Sequence, residues 1–164
     1  MPFYRELKNP AQYNKSFQEG FALFVQEDFS AALPLLSDAI RDADKGDDSK
    51  YKYLSYYGRV LFYLGEQKAG LEKCLAAAEQ ESRHSDVFYN LACVARLSQQ
   101  RELALKSLAK GRAIAPYDTQ LLHMRCALGM RRKPVLSCFP RENILNILLG
   151  KATYPWFKPT HVLS

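Results

Sequence analysis

The sequence predicts an all-α fold, a solenoid of stacked antiparallel helix hairpins. Three observations carry this expectation. The chain is self-similar at a step of about 34 residues. Within each copy, apolar residues recur at i, i+3, i+4 and i+7, the period of a one-faced helix. Small residues sit where the two helices of a hairpin must cross closely. A single hairpin cannot bury its apolar face, so hairpins of this kind stack.

Three segments share the pattern. The first holds Gly20-Phe21-Ala22-Leu23, Asp28-Phe29, Ala32-Leu33, Leu36 and Ala39-Ile40. The second holds Gly58-Arg59-Val60-Leu61, Gly65-Glu66, Gly70-Leu71, Cys74 and Ala77-Ala78. The third holds Leu91-Ala92-Cys93-Val94, Ala104-Leu105, Leu108, Gly111 and Pro116. Gly58 and Ala92 are one such step apart, and the step from Gly20 to Gly58 is slightly longer. The excess fits a polar loop at Asp44-Lys45-Gly46-Asp47-Asp48. Gly20, Gly58 and Ala92 on the first helices face Ala32, Gly70 and Ala104 on the second. Turns are expected at Glu27-Asp28, Gly65-Glu66 and Gln99-Gln100. Helices are therefore expected over 13–26, 29–43, 49–64, 67–81, 85–98, 101–114 and 119–131. Pro34 leaves two readings of the second helix open. Either the helix starts at 29 with an interior proline, costing about 3 kcal/mol, or it starts at Ala31 and Pro34 falls in the first turn.

The domain organisation follows. Residues 1–12 form an N-terminal extension, and residues 13–131 form the repeat domain. Its copies span about 13–46, 51–84 and 85–118, with a half-repeat at 119–131. Residues 132–164 form a basic, proline- and aromatic-rich segment with a short helix at about 141–149, between Pro140 and Gly150. Two roles fit this segment: residues 119–149 cap the open end of the array, or the aromatics Tyr154, Trp156 and Phe157 act as a ligand for a groove.

Charge is uneven. The chain carries a net charge of +6, yet residues 131–164 alone hold six bases and one acid, so the array is nearly neutral. No apolar run reaches the roughly 20 residues of a membrane span, and the N-terminus lacks the apolar core of a secretory signal, so a cytoplasmic location is expected. Cys74, Cys93, Cys126 and Cys138 form no CxxC pair and show no zinc spacing. They read as reduced thiols, three of them within helical patterns. Asn14-Lys15-Ser16 matches a glycosylation sequon that is idle without secretion. His84, His123 and His161 have no nucleophile or carboxylate at a spacing that suggests a triad. Gly150-Lys151 lacks the rest of a phosphate loop. The expectation is a non-enzyme with no catalytic residue, metal or cofactor.

The quoted residues resemble the tetratricopeptide repeat family. The matches are Gly20, Ala22, Ala32 and Ala39; then Leu54, Tyr57, Gly58, Gly65, Leu71 and Ala77; then Phe88, Leu91, Ala92, Ala104, Ile114 and Pro116. The resemblance spans roughly residues 13–118. The first two copies depart from the pattern by carrying Asp44 and Ser82 in place of the terminal proline, and the first has Ser16 and Glu19 at usually apolar positions. The resemblance implies a right-handed superhelix whose inner groove is lined by the first helix of each hairpin. It assigns to that groove Asn14, Phe17, Phe21, Phe24 and Val25 from hairpin one. Hairpin two supplies Lys52, Ser55, Arg59, Phe62 and Tyr63, and hairpin three Asp86, Tyr89, Cys93, Arg96 and Leu97. The half-repeat adds His123 and Arg131. Phe17, Phe21 and Phe24 also form one helical stripe that suits internal packing equally well.

A groove of aromatics interleaved with arginines suits a peptide with bulky apolar anchors and some acidic groups. The resemblance thus implies an adaptor or scaffold that binds a segment of another protein. The family's carboxylate clamp is absent, because its positions hold Phe17, Phe21, Tyr56, Tyr89 and Cys93. Two alternatives accompany this reading. Compact three-repeat chaperones of bacterial type III secretion systems share the size and architecture, although they tend to be acidic. The basic tail suggests binding to an anionic polymer or membrane surface. The tail also allows a homodimer. No specific nucleic acid and no membrane insertion are expected.

Overall fold

The computed structural model describes residue 7, residues 10–43 and 47–129, and residues 144, 148 and 149. The described residues are helical throughout, apart from turns. Seven α-helices follow a short 3-10 turn at Pro10–Gln12: α1 Lys15–Val25, α2 Phe29–Arg41, α3 Lys50–Tyr63, α4 Gln67–Gln80, α5 Ser85–Leu97, α6 Arg101–Ile114 and α7 Thr119–Ala127. Each lies within a few residues of its expected span, with α7 ending earlier, at Ala127. Residues 144, 148 and 149 are helical. The rest of the expected 141–149 helix, the Pro/aromatic tail and Arg131 lie outside the described residues. The chain divides into two compact units, Met1–Leu128 and Gly129–Ser164.

The three hairpins turn in the same way. After α1, α3 and α5, the backbone enters the left-handed region at Glu27 (φ 63°), Gly65 (φ 100°) and Gln99 (φ 60°). In each turn this residue and the next donate back to carbonyls of the helix's last turn. Glu27 N–H bonds Phe24 O at 3.1 Å and Asp28 N–H bonds Leu23 O at 3.0 Å. Gly65 and Glu66 repeat the pair on Phe62 and Leu61, and Gln99 and Gln100 on Arg96 and Ala95. This is the Schellman stop, which satisfies carbonyls that a helix end would otherwise orphan. These are the three turns read from the sequence. Only the second uses glycine; the other two hold a side chain in a conformation that costs about 1 kcal/mol.

Side-chain caps fix the starts of α1, α2 and α7. Asn14 accepts from Phe17 N–H at 2.9 Å, Asp28 from Ala31 N–H at 3.1 Å and Asp118 from Gln120 N–H at 3.0 Å. The Asp28 cap decides the question left by Pro34: α2 begins at Phe29 and Pro34 is an interior residue. Pro34 and Ser30 are both exposed, so water can replace the donor that the Ser30 carbonyl loses.

Packing is serial. α1 lies on α2, α3 on α4 and α5 on α6; α2 and α4 then carry the next hairpin, and α3 lies against α5. The core accordingly runs along the array in successive clusters. The first holds Phe17, Phe24, Leu36 and Tyr53, the second Phe62, Cys74, Val87 and Leu91, and the third Ala92, Leu108 and Leu121. Small residues set the hairpin crossings. At α3/α4, a Cβ added to Gly70 would lie 2.6 Å from Gly58 O, and one added to Gly58 would lie 2.8 Å from Gly70 O. The two glycines face each other across touching backbones. No helix among the described residues is long and apolar enough to cross a membrane.

Candidate functional site

The first helices of the hairpins, α1, α3 and α5, bring most of the expected groove residues together, but not all to the surface. Phe17 and Phe24 are buried completely, at 0% and 1% exposure. They offer nothing to a ligand and serve instead as core. Phe17 stacks against Tyr53 with ring centres 4.5 Å apart, and Phe17, Phe21 and Phe24 surround the Tyr56 ring at 5.6, 5.3 and 5.3 Å. The aromatic stripe of α1 is the packing surface for α3, which is the other reading that its spacing allowed. Asn14 is a structural cap: it holds α1 and also donates Nδ2–H to Ala39 O at 2.9 Å. Phe62 is buried in the second cluster.

Lys52 is also buried, in an ion pair. Its Nζ lies 3.1 Å from Asp86 Oδ2 and 2.8 Å from Tyr13 Oη, and 4.3 Å above the Tyr13 ring. Lys52 and Asp86 stand one repeat apart, at the same position of successive hairpins, so the pair ties α3 to α5. Beside it lies a cavity of about 300 Å³, lined by Phe21, Tyr56, His84, Ser85 and Ile114 among others. Next to this, Glu81 organises the loop before α5. One carboxylate oxygen accepts from the N–H groups of Ser82, Arg83 and His84, and the other meets His84 Nδ1 at 3.0 Å. Burial pushes the Glu81 carboxyl up, but these bonds outweigh it and hold it below its ordinary range.

Of the expected groove residues, the partly exposed Tyr63 and Tyr89 lie beside Arg59, on α3. Its Nε donates to Tyr63 Oη and its Nη1 to Asn90 Oδ1, both at 3.0 Å. Asn90 Nδ2 donates to Ser55 Oγ at 3.0 Å, and Ser55 Oγ to Lys52 O at 2.8 Å. The guanidinium lies 5.0, 5.4 and 5.6 Å from the ring centres of Phe24, Tyr63 and Tyr89. Only 8% of Arg59 is exposed. Burial works against its charge, but the neighbouring Cys93, Tyr63 and Tyr56 outweigh this and hold its pKa above the ordinary range. Tyr63 and Tyr89 are half-buried, and Arg96 is exposed. Burial pushes the Tyr89 phenol up to about 12 and raises the Cys93 thiol, against which Arg59, a hydrogen bond from Tyr89 and Arg96 all act.

Sequence reasoning missed Tyr13, Asn90 and Glu81. Asn90 had a signal: it is an amide between Phe88 and Leu91 in a helix that is otherwise apolar on its inner side. Among the described residues, no group of three or more His, Cys, Asp or Glu is placed to hold a metal ion.

Three hairpins with matching Schellman turns, small-residue crossings and serial packing make this a tetratricopeptide-type helical solenoid. No family model matches the chain. Among solved structures it is similar to YrrB, described as a TPR protein with an unusual peptide-binding site. The two are 27% identical with a TM-score of 0.54, over 68% of this chain and 55% of YrrB. The chain thus spans about half the length of the structure it matches.

Proposed function

We propose that this chain is an adaptor whose α1–α3–α5 face binds a peptide segment of another protein. One observation carries the reading. Tyr63 and Tyr89 remain partly accessible beside a fixed guanidinium, Arg59, and Arg96 is exposed on α5, all on the first helices of their hairpins. Rigid aromatic rings and arginines are the side chains that anchor most binding interfaces. Here Arg59 and Tyr63 are held by a hydrogen-bond network, and all four side chains stand on helices and not on loops, which lowers the ordering cost of binding. The peptide-binding site described for YrrB supports the same role.

The test is selection from a displayed peptide library on the full chain. Selected peptides should lose about tenfold or more in affinity on Tyr89→Ala or Arg96→Ala, the size expected for an interface anchor. Lys106→Ala, on the exposed face of α6, should change nothing. Retention of full affinity by both groove variants, each shown to be folded, contradicts the proposal.

A further inference from the structure

Arg59 is a buried charge that no acid of the described chain neutralises. Its two polar partners, Tyr63 Oη and Asn90 Oδ1, are neutral. The half-buried carboxylate of Asp86, one hairpin on from α3, is taken up by Lys52. Removing a charge from water without an opposite charge is costly, and such arrangements concentrate at functional sites. A guanidinium has five N–H donors, and the chain engages Nε and one hydrogen of Nη1. The remaining donors are not sealed in: among the described residues, the buried side-chain nitrogen without a partner is Arg125 Nη1, not an atom of Arg59. The free edge of the guanidinium therefore keeps some access to solvent, with the Tyr63 and Tyr89 ring centres 5.4 and 5.6 Å away, and Arg96 lies exposed on the same helix as Tyr89.

We infer that this edge receives the side-chain carboxylate of an aspartate or glutamate in the bound peptide. The inference rests on the peptide-binding reading above. A carboxylate supplies the missing negative charge and matches the planar fork of an arginine, with two parallel N–H···O bonds. The flanking tyrosine rings exclude water from the pair and leave apolar faces for the residue beside the acid. The exposed Arg96 adds a second, screened attraction at the rim. A single fork with one rim arginine suits a carboxylate better than a phosphate, which proteins commonly hold with clusters of arginines.

The experiment follows the Arg59 Nε–Hε signal by NMR in the full chain. The probes are Ac-Ala-Leu-Tyr-Glu-Leu-Tyr-Ala-amide and two twins with glutamine or phosphoserine in place of glutamate. The glutamate peptide should shift the Arg59 signal and bind about tenfold or more tighter than the glutamine twin, as expected for a charge-assisted bond. Arg96→Gln, an exposed substitution that leaves the fold intact, should weaken the glutamate peptide several-fold and the glutamine twin little. Equal binding of the glutamate and glutamine peptides overturns the carboxylate inference while leaving peptide binding in place. So does tighter binding of the phosphoserine twin. An Arg59 signal unmoved by millimolar glutamate peptide overturns it as well, whatever the library selection shows. A selection that yields no peptide sensitive to Tyr89 or Arg96 contradicts the broader reading separately.

Discussion

Replacing Gly70 with alanine tests whether backbone contact at a glycine pair holds the central hairpin together. The new Cβ would lie 2.6 Å from Gly58 O, 2.7 Å from Phe62 N and 2.8 Å from Phe62 Cβ. Two of these atoms are backbone and cannot rotate away. Ordinary contact begins at 3.4 Å, so α3 and α4 must part by several tenths of an ångström along a seam that also packs Phe62, Cys74 and Ala77. Overpacking of this kind costs typically about 1–3 kcal/mol, and more where backbone must move. Alanine returns about 1 kcal/mol through helix propensity. The expected net loss is about 2 kcal/mol. Gly20→Ala is the internal control, because its Cβ would meet the Leu36 side chain at 3.1 Å and Leu35 Cβ at 3.2 Å. The Leu36 atoms can rotate away and Leu35 Cβ need give only a few tenths of an ångström, so that variant should stay within about 0.5 kcal/mol of wild type once propensity is counted. Urea unfolding followed by circular dichroism measures both. With a slope of about 2 kcal/mol/M, the two midpoints should differ by about 1 M. Adding Gly58→Ala to Gly70→Ala should cost less than it does alone, since the helices have already parted. Equal midpoints for Gly70→Ala and Gly20→Ala contradict a backbone contact at the Gly58–Gly70 crossing.

Three further outcomes follow. Lys52→Met strips the half-buried Asp86 of its cation and should cost about 3 kcal/mol; Lys52→Met with Asp86→Leu should recover most of this, and failure to recover in urea unfolding rejects the pairing. The Glu81 carboxyl is depressed in the folded state, so its stabilising share is present above its unfolded value of 4.5 and is lost as pH falls through the lower folded value. The stability gap between wild type and Glu81→Gln should therefore be full near about pH 7 and close on acidification, and a gap independent of pH contradicts the assignment. Cys126 is exposed, while Cys74 and Cys93 are buried with thiols raised by burial, Cys74 to about 12. Brief iodoacetamide treatment of the native protein should label Cys126 and spare the other two, as read by mass spectrometry; equal labelling of Cys74 and Cys126 refutes the burial.

The fold was legible because its determinants are local and repeat. Glu27, Gly65 and Gln99 stand at equivalent places in three copies, and each ends a helix whose apolar spacing is visible in the chain. The same holds for Gly58 and Gly70, whose smallness only a close crossing requires. The site was half legible. The resemblance assigned Arg59, Tyr63, Tyr89 and Arg96 to first helices of the hairpins, and they lie on α3 and α5. Periodicity could not decide which side of the stripe is covered, because Phe17 and Phe24 obey one spacing whether α3 lies on them or a ligand does. The answer depends on Tyr53 and Tyr56, which lie in the next repeat, far along the chain from Phe17 and Phe24. The Lys52–Asp86 pair left a clearer trace, opposite charges one repeat apart. The Arg59–Asn90–Ser55 network left only a weak one, a few polar residues on inner faces, since hydrogen-bond geometry is set by how the hairpins stack.

Peptide binding on the α1–α3–α5 face is best checked by mapping where a library-selected peptide lies on the protein. Amide and side-chain chemical-shift changes on titration should centre on Tyr63, Tyr89 and Arg96, with α2, α4 and α6 little affected on their outer faces. Changes confined to those outer faces, with Tyr63, Tyr89 and Arg96 unmoved, would contradict it.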